Sequence, residues 1–279
     1  VDVGQVRHLR RSGTWMLTRP IGNSGYRDAL VGYPRLLCRD WVGLVKDLAE
    51  TAALADVVSV TAVADPLAGV DEELLRPAFG DVVRAEAQHH LVELAACWPS
   101  RDHRRAVRRA LGLVDVEVED APAGVVGAWP ALGGATLPGA ELGLTEAALE
   151  RQLALPGCVG LRVHGEDGPV AAAIVYVSGD DAYLHALAVT PAGEALGARF
   201  ALVQTMVEDM AGRGLRFLDL GPATDDAGFM SGWTELIRPA YRCGRIVDRL
   251  AYDELAAAAG TTGSATFPAY RDPAATLAE

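Results

Sequence analysis

The sequence predicts an α/β (α+β) protein made of two mixed β-sheet halves flanked by helices. Three observations predict it. Between residues 158 and 189, three β-rich runs are separated by Glu166-Asp167-Gly168 and Gly179-Asp180-Asp181, which is hairpin chemistry. A helical stripe and a short strand then follow, the order of a right-handed βαβ unit. Third, residues 121–143 are rich in Gly and Pro and free of charge until Glu141. That stretch sets the expected boundary, with one half over 1–130 and the other over 131–279.

The elements follow in order. Pro34–Cys38 is a short apolar run. Residues 40–54 carry Trp41, Leu44, Val45, Leu48 and Leu54 at helical spacing. Val57–Ala64 is rich in β-branched residues and reads as a buried strand ended by Asp65-Pro66. His89–Ala95 and Val114–Glu119 are further strand candidates. In the second of these, valines alternate with acids. His89 and His90, adjacent on a strand, are expected one in and one out. An irregular helix is expected around Trp129.

Thr145 can cap a helix reaching about Leu155, with Glu146 in its first turn. Strands are expected at 158–164, 170–177 and 182–189. A long helix carries the stripe Leu196, Phe200, Val203, Val207 and Met210, and Gly212-Arg213-Gly214 ends it. Residues 215–220 form a strand, 229–236 a short helix and 245–251 a last strand.

Composition excludes several classes. The chain has 279 residues, half of them hydrophobic, enough for a core. It has no 18-residue apolar run of the kind that crosses a membrane as a helix. Its first residues lack an apolar leader, so a secretory signal is not expected. The four cysteines stand apart, with no CxxC pair and no Cys-His spacing suited to zinc. A cytoplasmic protein without a metal is the expectation.

The net charge is −12, from 25 basic and 37 acidic side chains. This argues against broad nucleic-acid binding. Residues 1–130 hold 18 acidic and 15 basic side chains, a net of −3. Residues 131–279 hold 19 and 10, a net of −9. One basic feature stands out, Arg101, Arg104, Arg105, Arg108 and Arg109. On a helix, four of these share a face. It is read either as a phosphate clasp or as a solvated face paired with Glu117 and Glu119.

The segment after the third hairpin strand is the most informative. Thr190-Pro-Ala-Gly193-Glu194-Ala-Leu-Gly197-Ala-Arg199 joins a strand to a helix, and free amides at a helix start can cradle a phosphate. It is neither a Walker A motif nor a GxGxxG fingerprint. Small residues that let a helix pack tightly on a sheet explain it equally well.

The order of elements and this turn resemble the GNAT acyltransferase superfamily. More of the chain resembles its two-domain branch, related to the Fem-type aminoacyltransferases. The stretches that carry this are TyrProArgLeuLeuCysArgAspTrp at 33–41, ValAlaAspPro at 63–66 and SerArgAspHisArgArgAlaValArgArgAla at 100–110, then LeuAspLeuGly at 218–221 and GlyPheMetSerGlyTrp at 228–233. Relatives commonly carry a lysine where Met230 stands. At the turn, Gly197 matches the superfamily pattern, while Glu194 replaces a Gln or Arg and Arg199 a small residue.

The resemblance implies a degenerate N-terminal half and a functional C-terminal half that moves an acyl group to an amine. It implies acyl-CoA as donor, bound by Leu187, Ala188 and Val189 and by the turn residues Gly193, Glu194, Ala195, Leu196, Gly197, Ala198 and Arg199. The amide of Ala188 or Val189 would polarise the thioester carbonyl where two strands splay. His185, Tyr241 and Asp219 are the candidate catalytic residues. Tyr241 would face the thiolate, and Asp219 is a base or a tie for the following loop. Phe229 and Trp233 would line the acceptor pocket.

The acidic C-terminal half suits a small cationic amine as acceptor. Two other readings stand beside this one. The first is Fem-like transfer from aminoacyl-tRNA, with the RNA held through Arg101, Arg104, Arg105 and Arg108. The second is a non-catalytic binding protein that keeps the fold.

Overall fold

The computed structural model of the chain describes residues 4–51, 56–120, 122–132, 145–222 and 227–275. In chain order the elements are β1 (Gln5–Leu9), β2 (Thr14–Pro20), β3 (Arg27–Val31), α1 (Trp41–Thr51), β4 (Val57–Ala64), α2 (Glu72–Leu75), β5 (Val82–Glu93), α3 (Arg101–Ala110), β6 (Asp115–Asp120), α4 (Ala123–Ala128), α5 (Glu146–Leu153), β7 (Cys158–Gly165), β8 (Gly168–Ser178), β9 (Asp181–Val189), α6 (Pro191–Leu196), α7 (Ala198–Gly212), β10 (Phe217–Pro222), α8 (Ala227–Ser231), β11 (Ile237–Ile246) and α9 (Arg249–Ala258).

Two compact units emerge. A central unit holds residues 88–238, and a terminal unit holds 2–87 with 239–279. The expected boundary at 130/131 falls inside the central unit. The reason is that β6 pairs with β7 across the Gly/Pro stretch, Asp115 opposite His164 through Asp120 opposite Val159. Part of that stretch forms α4 and the turn at Trp129, which is 2 % exposed. The remainder, 133–144, lies outside the described residues.

In the terminal unit, β1, β2 and β3 form an antiparallel meander. β3 connects through α1 to β4, which lies parallel to it, and β11 pairs antiparallel on the far side of β4. Leu44 and Leu48 of α1 are fully buried in a cluster with Met16, Val31, Val60 and Phe79. A second cluster joins α9 to Val58 and Ile21. The segment after Gly260 packs here too. Phe267 and Tyr270 are buried, and the Tyr252 hydroxyl accepts from the Ala269 amide at 3.0 Å.

Charged residues hid β1 to β3 from sequence reading. Arg19 and Asp28 are both buried and bind each other through two bonds of 3.0 and 2.9 Å. The strand expected at 245–251 ends at Ile246. Asp248 then caps α9 by accepting from the Ala251 amide at 3.0 Å.

The central unit repeats the connection order. β6, β7, β8 and β9 are an antiparallel meander. β9 connects through α6 and α7 to β10, which is parallel to it, and β5 pairs antiparallel on the far side of β10. α3 and α7 cover one face of this sheet, with Val107, Leu202 and Met206 in the core. α4, Trp129 and α5 cover the other. Because helices cover both faces, His89 and His90 are both buried, at 6 % and 2 %, and not one in and one out. The long helix expected after β9 is broken at Gly197, whose φ is +75°. The last short helix is α8, and β11 begins where its expected end lay.

Candidate active site

The central unit's parallel pair is short. β10 pairs with β9 only at Phe217–Asp181, Leu218–Ala182 and Asp219–Tyr183. Beyond Tyr183, β9 continues for six residues paired on its other edge with β8. Within that stretch lies a bulge. Ile174 opposes Ala186 and Val175 opposes Leu184, so His185 is the extra residue.

The ladder then determines which amides turn to the open edge. The Thr190 amide donates to Val170 O at 2.9 Å. Antiparallel alternation therefore turns Ala188 toward β8, and Leu187 and Val189 toward the edge that β10 has left.

Side chains sort by the same alternation. Leu218 and Leu220 belong to the core under α3 and α7. Asp219 points to the opposite face and is fully buried. Its Oδ1 accepts from the Gly221 amide at 2.7 Å and from His89 Nδ1 at 3.1 Å. Asp219 thus ties down the loop, as one of its two expected roles required. His185 packs against the rings of Tyr176 and Tyr183, at 4.8 and 5.9 Å between centroids. Gln152 of α5 donates to the Tyr176 hydroxyl at 3.0 Å. His185 and Asp219 therefore both stand at the place where β9 and β10 part.

Of the other expected residues, Phe229 and Trp233 lie elsewhere in the central unit, and Tyr241 belongs to the terminal unit. Trp233 is 3 % exposed and, with Phe229 packed against it, belongs to the core under α3 and α7. Both surround His103, whose Nε2 donates to Phe229 O at 2.8 Å while Phe200 meets the ring edge-on. A Cβ on Gly232 would sit 2.0 Å from the His103 ring, so this seat needs glycine. Met230, where relatives carry lysine, is buried in the same core. Tyr241 stands on β11 opposite Ala64, packed against the terminal unit's core.

The turn after β9 can be tested for a coenzyme A pyrophosphate. Thr190 caps α6 by accepting from the Gly193 amide at 3.0 Å. The Glu194 amide donates to Thr190 O at 2.9 Å, and the Gly197 amide to Glu194 O at 3.0 Å. A Cβ on Gly193 would lie 2.5 Å from Val170 O, so this glycine serves close packing on β8. Arg199 Nε donates to Glu194 at 3.0 Å, so the two departures from the superfamily pattern bind each other. The amides of Gly193, Glu194 and Gly197 are thus bonded within the turn and the Glu194 carboxylate sits beside them, while α7 begins after Gly197 without a side-chain cap.

The arginine helix is α3. Ser100 caps it by accepting from the His103 amide at 3.2 Å. Glu117 and Glu119, the expected partners of the arginines, are bound by Arg162 instead. Arg104 donates to Pro99 O and lies 4.8 Å above the Trp98 ring. Arg101, Arg105, Arg108 and Arg109 are exposed and make no ion pair among the described residues. Among those residues, no group of three His, Cys, Asp or Glu is arranged to hold a metal. None of their helices is long and apolar enough to cross a membrane, which says nothing of a β-barrel.

Comparison with known proteins bears on the fold. Residues 100–229 match the family model of the acetyltransferase (GNAT) domain. FemX is 11 % identical and superposes with a TM-score of 0.64, over 87 % of this chain and 86 % of that one. L-PGS from Bacillus licheniformis is 13 % identical, with a TM-score of 0.56 over 88 % and 86 %. No curated protein matches in sequence. The central part of the chain is thus similar to the GNAT domain, and the chain shares its fold with FemX and L-PGS.

Proposed function

We propose that the protein transfers an acyl group from an activated carboxyl donor to an amine. The reaction would take place where β9 and β10 part. The observation that carries this is the bulge at His185 beside a strand edge that no described strand pairs. The Val189 amide at that edge would bind the carbonyl oxygen as negative charge develops on it. Holding donor and amine together there supplies much of the remaining rate.

The donor we favour is an aminoacyl-tRNA, not acyl-CoA. The turn that would hold the CoA pyrophosphate carries the Glu194 carboxylate, which binds Arg199, where the superfamily has a Gln or Arg. α3 offers four exposed arginines without carboxylate partners among the described residues, suited to a phosphate backbone. A cationic amine remains the favoured acceptor. Residues 88–238 carry 20 acidic and 11 basic side chains, a net of −9, so the central unit is the acidic one.

The test offers acetyl-CoA and alanyl-tRNA in parallel, with a panel of primary amines, and detects amide products by mass spectrometry. Amide from alanyl-tRNA is expected. Its formation should weaken with salt, and each of Arg101→Glu and Arg105→Glu should lower the salt dependence by about one phosphate contact. Amide from acetyl-CoA alone overturns the choice of donor. No amide from either donor overturns acyl transfer.

A further inference from the structure

We propose that a cavity at the far end of the central unit's sheet is a binding site for a small organic cation. Its volume is about 400 Å³, within the size range of small-molecule sites. Its wall comes from the end of β5, the segment leading into α3 and the segment after α8, all within the central unit. Glu93 in that wall pairs with Phe217, the first residue of β10. β9 runs on in the opposite direction for about 20 Å, from Tyr183 to Val189. The cavity is therefore apart from the place assigned to acyl transfer, and the inference does not depend on that reading.

Most polar groups of the wall are already bonded. The Thr234 hydroxyl donates to Leu91 O at 2.7 Å and accepts from the Leu236 amide at 3.0 Å. The Ser231 hydroxyl donates to Gly228 O at 3.2 Å, and that of Ser100 lies 3.1 Å from His103 Nδ1. Three strongly polar side-chain groups are left. Glu93 and Glu235 are exposed and make no ion pair or side-chain hydrogen bond among the described residues. The third is Trp233, 3 % exposed, whose indole N–H has no hydrogen-bond partner among the described residues. A buried donor without an acceptor costs stability, and an acceptor on a bound molecule would satisfy it.

These groups select the ligand's charge. Among the described residues, no Lys, Arg or His lines the cavity. Arg104 is not part of the wall; it sits over the Trp98 ring at 4.8 Å and donates to Pro99 O. Two carboxylates with no basic group in the wall favour a cation and oppose an anion. Burial raises the pKa of Cys97, so its thiol adds no charge to the wall. Val92, Leu236 and the Trp98 indole, which is 76 % exposed, supply apolar surface for the ligand's body. The ligand so defined carries an ammonium for the carboxylates, an apolar or aromatic body, and an oxygen that accepts from the indole N–H.

The probe is tyramine, which has such an ammonium, ring and hydroxyl oxygen. Its control is para-hydroxyphenylpropionate, the same body with a carboxylate. Each is titrated into 15N-labelled protein and followed through the indole N–H signals. Trp233→Phe identifies the Trp233 signal, and contacts of that indole with the rings of His103 and Phe229 identify it without a substitution. Tyramine should shift this signal saturably, and the propionate should leave it in place. Glu93→Gln and Glu235→Gln alter exposed side chains and should leave the melting temperature unchanged. Each should weaken tyramine binding about threefold, and the two together about tenfold. A Trp233 signal that does not move up to about 10 mM tyramine overturns the proposal. So does equal binding of the propionate, or wild-type affinity for tyramine in the folded double variant.

Discussion

The two units share one connection order and treat its critical point in opposite ways. In the terminal unit, β3 and β4 pair from Asp28–Ser59 to Leu30–Thr61. The chain then turns at Gly32, whose φ is +64° and where a Cβ would lie 2.6 Å from Leu36 Cα. Leu36 comes back to bridge Ala64, and its amide donates to Val63 O at 2.7 Å. The far end of β4 is thus closed by the chain itself. In the central unit, β9 instead enters a capped helix, and no described residue bridges the edge that β10 leaves. Among the described residues, the same topology yields one sealed sheet and one with amides turned to an edge that no strand pairs. The proposed reaction needs such an edge to bind the carbonyl, so it is assigned to the central unit.

The strongest way to break this contrast is to remove the amide. Val189→Pro keeps an extended backbone and takes nothing from the β8 ladder, because Val189 faces the other way. It should lower kcat about 100- to 1,000-fold with melting unchanged, the effect of losing one donor to a developing oxyanion. Single-turnover amide formation checks this. Wild-type kcat in the folded variant would place the carbonyl elsewhere.

The comparison also shows what sequence could reveal. β4 has the bounds its β-branched run predicts, and β7 to β9 follow from their hairpin turns. The bulge at His185 left no trace, because the residues on either side of it keep a plausible strand pattern. His185 and Asp219 were legible as residue types in strands. The partner of Asp219 was not, since it comes from a strand 130 positions earlier. Nothing in the local sequence marks Arg19 and Asp28 as a pair, because the contact joins two strands whose charges are buried together. Phe229 and Trp233 were legible as a motif, but their seat around His103 depends on α3, which no local pattern links to them.

A second change probes the sealed side. Leu36 is fully buried, so Leu36→Ala should destabilise the protein by about 3 kcal/mol through lost burial and the cavity left behind. Urea unfolding would measure it. Below the unfolding transition, amide formation per folded molecule should stay at the wild-type level, since the seal has no part in transfer. A matching fall in kcat would mean that the terminal unit contributes to the reaction.

The mildest change tests how the terminal unit holds its first hairpin. Asp47 of α1 is buried and accepts from the Ser12 amide at 2.9 Å, the Ser12 hydroxyl at 2.8 Å and the Arg11 amide at 3.1 Å. Burial alone would raise its pKa, but the Ser12 bonds and then those from Arg11 bring it below the ordinary carboxylate value. A depressed folded pKa means stability that is complete above the unfolded value of about 3.9 and lost as pH falls through the folded one. Asp47→Asn removes an ionised acceptor from these donors and should cost about 2 kcal/mol at neutral pH. The gap between wild type and variant should hold from pH 7 to about 5 and close as the solution is acidified below about 4. Melting temperatures across that range check the sign. A gap that widened in acid would show that Asp47 is held by burial and not by its donors, and that the hairpin's attachment to α1 rests on packing.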